Sequence, residues 1–157
     1  PLMMRMAKDA PKAEVVWKAT GRNERATEQL HAIMSTPYLE DGHIYGVCSY
    51  GQFRCLEIAT GQRAWESFKP VAGASGRWSN AFLIKHQDRF FIHNELGELI
   101  IAKLSPKGYE EIGRAKLIEP TGKAQSRKIV WSHPAFANRS IYLRNDKEIR
   151  CYSLAKK

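Results

Sequence analysis

A repeated unit is the feature of this sequence that most restricts its fold. Three stretches start with a serine that follows a methionine or a tryptophan, at Ser35, Ser79 and Ser132, with spacings of 44 and 53 residues. Each start is followed by a short apolar run, a polar turn, and a second run headed by an aromatic pair or by Ile-Tyr. A regular period of this length indicates a repeat architecture, in which neighbouring units bury each other's apolar faces.

The second halves of the units match as well. The run that begins at Gly51 aligns with the run from Gly97 and with the run from Glu148. Turn signals rich in glycine separate the runs, because glycine adopts a positive φ at no steric cost; they are Asp41-Gly42, Tyr50-Gly51, Thr60-Gly61, Leu96-Gly97 and Pro106-Lys107-Gly108. The pattern therefore predicts four short strands in each unit, which is typical of a β-propeller blade. The one helical candidate is Asn23 to Ile33, whose weak pattern is compatible either with a single helical turn or with none.

Composition agrees with an all-β domain. The 157 residues are 43% hydrophobic and 26% charged, which suits one folded domain and argues against disorder. No apolar run approaches the roughly 18 residues of a membrane helix. The six Phe, six Tyr and four Trp favour strands, because bulky aromatic side chains pack well on a pleated surface.

The segment EDGHIYGVCSYGQFRCLEIATGQRAWES, residues 40–67, resembles the repeat of the PQQ-binding-like (quinoprotein-type) β-propellers. In that repeat an aromatic-headed strand leads to a Gly turn, then to a stretch of the form LD-x-x-TG and a Trp. The matching positions are Gly51, Leu56, Glu57, Thr60, Gly61 and Trp65, with Glu57 where Asp is usual. The later units fit the repeat more loosely.

The resemblance implies four-stranded antiparallel blades arranged as a partial ring of about three blades, in one domain over 1–157. We divide it into a half-unit (2–20), a first unit (34–68), a second unit (78–118) and an incomplete third unit (131–155). The chain starts at Pro1, and we expect it to be the C-terminal part of a seven- or eight-bladed ring. The strand missing from the third unit would come from ring closure or from a second copy, so exposed blade edges predict self-association.

The motifs of common enzyme and metal sites are absent from the sequence. The spacing of the five His and three Cys matches no zinc motif. Cys55 and Cys151 share a repeat position and are predicted to be core thiols, and a two-residue loop would put Cys48 opposite Phe53. The quinoprotein dehydrogenases that the chain resembles hold PQQ and calcium, and many carry a disulfide between adjacent cysteines. This chain has no adjacent cysteines and no matching calcium set, so we expect neither PQQ nor calcium and assign no catalytic, cofactor or metal residue.

Four tryptophans fall into two classes. The resemblance implies that Trp17 and Trp65, at the ends of outer strands, dock between neighbouring blades. Trp78 and Trp131 stand beside Asn80 and His133, and the resemblance implies that they precede the innermost strands, at the end of the ring near its central channel. Blade packing and a ligand-facing role are both open for this second pair, because polar groups beside aromatic rings are typical of pockets.

Charge gives the remaining functional signal. The net charge is +9, and the three loops that join successive units, 18–33, 69–77 and 118–130, carry +5 of it. Blade geometry would bring these loops to one face, where the candidate binding residues are Arg22, Arg25, Arg77, Arg127 and Lys128. Basic loops can serve solubility alone, or they can attract anions. We predict an acidic protein segment or an anionic polymer as partner, and the sequence carries no nucleic-acid-binding motif.

The sequence therefore predicts a non-catalytic PQQ-like propeller that serves as a binding module or scaffold, within a larger bacterial envelope or secreted protein. The resemblance places it in the periplasm or outside the cell. The alternative is a fragment of a PQQ-dependent quinoprotein dehydrogenase, and a third class is a propeller hydrolase or lyase whose site lies in other blades.

Overall fold

The computed structural model describes residues 1–155, which form fifteen β-strands and no helix. The strands are β1 (Leu2–Met6), β2 (Ala13–Lys18), β3 (Tyr38–Glu40), β4 (His43–Val47), β5 (Phe53–Glu57), β6 (Arg63–Ser67), β7 (Ala81–His86), β8 (Arg89–Asn94), β9 (Glu98–Ser105), β10 (Gly108–Lys116), β11 (Gly122–Ala124), β12 (Arg127–Ile129), β13 (Ala135–Ala137), β14 (Ser140–Arg144) and β15 (Ile149–Ser153). The all-β prediction is confirmed. The helical candidate at Asn23 to Ile33 is a series of bends instead.

All sheets are antiparallel, and in each one the strands follow chain order. Strands β3 to β6 form one four-stranded sheet and β7 to β10 form another. The third unit contributes the three-stranded sheet β13-β14-β15, and the half-unit contributes the pair β1-β2. The pair β11-β12 is an addition to the expected pattern, because the sequence predicts a loop over 118–130.

A β-bulge recurs at the same place in three sheets. In the half-unit the register passes from Met3↔Trp17 to Met4↔Val15, so that one residue of the outer strand is skipped. The first unit passes from Cys55↔Trp65 to Leu56↔Arg63. The second unit passes from Ile101↔Gly113 to Ala102↔Glu111. A bulge bends and twists its strand, and its recurrence makes Trp17, Trp65 and Gly113 structurally equivalent.

The equivalent tryptophans connect neighbouring units. The indole Nε1 of Trp17 donates to the carbonyl oxygen of Ile58 at 2.8 Å, and that of Trp65 donates to the carbonyl of Ser105 at 2.8 Å. Gly61 has φ +71°, and a Cβ placed there would lie 2.8 Å from the Trp17 ring. The close approach of ring and backbone therefore requires glycine at this turn.

Aromatic and aliphatic side chains fill the spaces between the sheets. Phe90 of the second unit is fully buried and packs edge-on against Tyr38 of the first, with ring centroids 5.1 Å apart. A second cluster joins the second and third units through Leu99, Ile118 and Ile141. Burying such a side chain contributes about 1.5 to 3 kcal/mol to folding, so the contacts between units are a large part of the core.

Two predictions about the cysteines are wrong. Cys151 is exposed, because β15 is covered on fewer sides than the equivalent β5, in which Cys55 is buried. The residue opposite Phe53 is Val47 rather than Cys48. The connection between β4 and β5 contains an additional turn residue, and Gly51 there adopts φ +85°.

No helix among the described residues is long and apolar enough to cross a membrane.

Candidate functional site

The three basic loops gather at one end of the molecule, which we call the loop end. The 69–77 and 118–130 loops are held to the tight turns of neighbouring sheets by hydrogen bonds that involve the backbone of each loop. The amide of Gly76 donates to the carbonyl of Tyr50 at 3.1 Å, and the amide of Val130 donates to the carbonyl of Glu95 at 2.8 Å. In the third unit, the side-chain amide of Asn145 donates to the carbonyl of Glu119 at 2.9 Å.

Two arginines of the loop end lie over aromatic rings. The guanidinium of Arg25 is 5.6 Å from the centroid of the Tyr50 ring, and that of Arg77 is 4.7 Å from the Trp78 ring. The Arg77 side chain is 49% exposed, and its ion pair with Glu24 is long, at 3.8 Å. A solvated pair of this kind is worth little and exchanges readily. Both arginines therefore present their charge to solvent from a fixed position.

Trp78 itself has an uncommon backbone conformation, with φ +63°. Its amide donates to the carbonyl of Ser49, which holds the end of the 69–77 loop onto the first unit. Left-handed conformations of bulky residues cost free energy and persist where the surroundings enforce them. The conformation presents a half-buried indole beneath Arg77.

Glu95 is the centre of a buried polar cluster behind these loops. Its carboxylate is fully buried and accepts hydrogen bonds from Ser79 Oγ at 2.8 Å, Arg127 Nε at 2.9 Å and Trp131 Nε1 at 3.1 Å. Arg127 also donates to the carbonyl of Arg77 at 2.8 Å. Breaking such a pair leaves an uncompensated buried charge, at a cost of about 3 to 5 kcal/mol. In this structure Arg127 and Trp131 hold loops together.

The remaining candidates have different surroundings. Asn80 is buried, and its side-chain Nδ2 has no hydrogen-bond partner among the described atoms. The ring centroids of His133 and Phe82 are 4.7 Å apart. Arg22 and Lys128 are exposed and form no ion pair within residues 1–155. The structure thus brings Arg25, Arg77, Trp78, Arg127 and Trp131 into one connected group.

The 18–33 loop is anchored by a residue that the sequence analysis did not single out. Arg54 on β5 is 3% exposed, and its guanidinium pairs with Glu66 at 2.8 Å. It also donates to the backbone carbonyls of Thr27 and Gln29 and contacts Cys48 Sγ at 3.4 Å. Burial raises the pKa of the Cys48 thiol, which therefore stays protonated at neutral pH.

Two signals in the sequence point to these anchors. Arg54 stands inside the run Phe53-Arg54-Cys55-Leu56, and a charged residue within a buried strand needs a partner. Glu95 directly follows the apolar strand β8 and precedes a glycine turn. Its partner Arg127 lies 32 residues away, a pairing that no local pattern shows.

No group of three or more His, Cys, Asp or Glu lies close enough to hold a metal ion within the part of the chain that the structure describes.

The backbone at Gly51 approaches Ser79 closely, since a Cβ placed at Gly51 would lie 2.8 Å from the Cβ of the serine.

Comparison with known proteins gives little beyond these observations. No protein-family model and no curated protein matches the sequence. Among solved structures, the chain is similar to the computationally designed Ika8 protein, with 12% identity over 78% of this chain and a TM-score of 0.45. The match covers 33% of the length of that designed protein.

Proposed function

We propose that this chain is a β-propeller segment that acts as a non-catalytic binding module, with the loop end as its binding surface. The propeller arrangement is supported by sheets whose strands follow chain order, by the bulge that recurs in three of them, and by the repeated tryptophan contact between units. Four-stranded antiparallel sheets are typical of blades, and features that recur at equivalent positions are expected of stacked repeats.

The observation that carries the binding role is the pair of exposed arginines that rest on aromatic rings at the loop end. The three loops have a net charge of +5, and the adjacent Glu95 lowers it to +4. Because Arg127 is paired with Glu95, the charge available to a ligand comes from the other cations of the loops, which include Arg25, Arg77 and the exposed Arg22, Lys123 and Lys128.

This surface fits an acidic protein segment or an anionic polymer. Arginine binds carboxylate and sulfate oxygens in a bidentate manner, and several cations at one end focus a positive potential there. Affinity depends on salt, since exposed charges are screened beyond about 8 Å at physiological ionic strength. By the family resemblance, we propose a periplasmic or secreted location. We propose no requirement for PQQ or calcium, because the chain has no adjacent cysteines and no matching calcium set.

Titration with labelled poly-L-glutamate and with dextran sulfate, across a salt series, tests the proposal. The wild-type chain should bind both at low salt and lose affinity towards physiological salt. The double variant Arg25→Glu with Arg77→Glu should bind about tenfold more weakly, because each reversal replaces an attraction by a repulsion.

The matched control reverses two cations at the opposite end. Lys8 and Lys107 lie in the turns after β1 and β9, so Lys8→Glu with Lys107→Glu changes the net charge equally. If the control weakens binding as much as the loop-end variant, the effect is one of net charge and the proposed surface is wrong.

A further inference from the structure

A cleft of about 490 Å³ lies between the second and third units, at the end opposite the loop end. It opens where the last residues of β7 face the turn between β13 and β14. The lining includes Ile84, Lys85, Phe91, Phe136 and Arg139, with Leu154 beyond β15. This volume is within the range of small-molecule sites, which is about 300 to 1,000 Å³.

One wall of the cleft is a row of three nearly parallel rings. The imidazole of His86 is stacked on Phe91, with centroids 5.4 Å apart and planes 12° apart. Phe136 of the third unit is stacked on the same Phe91, at 5.2 Å and 10°. Offset stacking extends naturally to another flat ring. The wall therefore selects a planar aromatic group over a saturated one.

Arg139 supplies a positive charge at the edge of this wall. It occupies the second position of a two-residue turn with φ +54°, whereas the first unit has Gly42 at the equivalent position. An arginine in this conformation is less favourable than glycine. The neighbouring cation Lys85 is neutralised by Glu40 at 2.7 Å, but Arg139 forms no ion pair among residues 1–155. Its charge is available to an anion.

We propose that this cleft binds a planar aromatic carboxylate, with its ring stacked on the His86–Phe91–Phe136 wall and its carboxylate paired with Arg139. Ring shape and charge complementarity together define the ligand class. The cleft is separate from the loop end, so a failed test of one site does not bear on the other.

Amide-resolved NMR titration with naphthalene-2-carboxylate tests the proposal on the whole chain. Saturable shifts should cluster at 84–91 and 136–140, with a Kd of about 1 mM or below. The neutral naphthalene-2-carboxamide should bind about tenfold more weakly, and so should the saturated cyclohexanecarboxylate. Shifts confined to the loop end, or equal affinity for acid and amide, would overturn the proposal.

Two variants separate binding from folding. Arg139→Gly places glycine where the backbone favours it, so the fold should be kept or stabilised while affinity falls about tenfold. Lys147→Gly, in the turn between β14 and β15 at the loop end, is the charge-matched control and should bind like the wild type. Phe136→Leu should weaken binding several-fold through loss of stacking. Wild-type affinity in both Arg139→Gly and Phe136→Leu would refute the site.

Discussion

At the scale of single residues, burial determines the charge of His93. The side chain is 1% exposed, its Nδ1 lies 3.1 Å from the carbonyl oxygen of Glu98, and its Nε2 has no partner among the described atoms. The pKa of His93 is lowered from 6.5 to about 4, chiefly by desolvation; the hydrogen bond with the Glu98 carbonyl opposes the change, and the nearby His133 contributes to it. The folded chain therefore holds a neutral imidazole with Nδ1 as the donor.

This lowered pKa predicts that the protein loses stability in mild acid. The unfolded chain takes up a proton at His93 below pH 6.5, whereas the folded chain does so only near pH 4. The stabilisation is complete above pH 6.5 and is lost as the pH falls towards 4, by about 2 kcal/mol between pH 7 and pH 5. Urea unfolding at the two pH values measures it, and His93→Asn, which does not titrate, should show a smaller pH effect. An unchanged slope in the variant would contradict the assignment.

At the scale of elements, the second unit lacks the tryptophan contact that joins the other units. Gly113 stands where Trp17 and Trp65 stand in their sheets, and a Cβ at Gly113 would meet nothing within 4 Å. Gly113→Trp should therefore supply the missing contact with the third unit and raise the free energy of unfolding by about 1 kcal/mol. Gly113→Ala, measured beside it by urea unfolding, isolates the backbone effect of removing glycine. A tryptophan variant no more stable than the alanine variant would show that this position makes no contact between units.

The same elements show how far the sequence determines the fold. Glycine turns and aromatic-headed runs predict the strands of the first and second units. The recurrent bulge is not predictable, because the skipped residues Val16, Ala64 and Ile112 share no signature. The hairpin β11-β12 is equally hidden, since its turn residues Gln125 and Ser126 adopt positive φ without a glycine. At the loop end, Arg22, Arg25 and Arg77 lie in loops as the sequence predicts, whereas Arg127 and Lys128 lie in β12. The sequence also cannot show that Arg127 is paired with Glu95.

At the scale of the whole molecule, two strands at sheet edges, β1 and β15, leave apolar side chains in solvent. Met6 of β1 is 69% exposed and Ile149 of β15 is 75% exposed. Both strands lie at the edges of their sheets. An edge strand offers unpaired backbone donors and acceptors to another chain, and neighbouring apolar side chains add a driving force for association. These edge strands therefore expose apolar surface, in contrast to the cations of the loops.

These edges predict concentration-dependent self-association. A lysine on an edge strand opposes pairing with a second chain, because its charge would be desolvated in the new sheet. Ile149→Lys should therefore shift the protein towards monomer, as measured by light scattering coupled to size-exclusion chromatography over a concentration series. Ile33→Lys makes the same change at a residue that is 51% exposed but lies in the 18–33 loop, and it should associate like the wild type. Association that is unaffected by Ile149→Lys would exclude the β15 edge as the contact, and a wild-type chain that stays monomeric at high concentration would refute association through either edge.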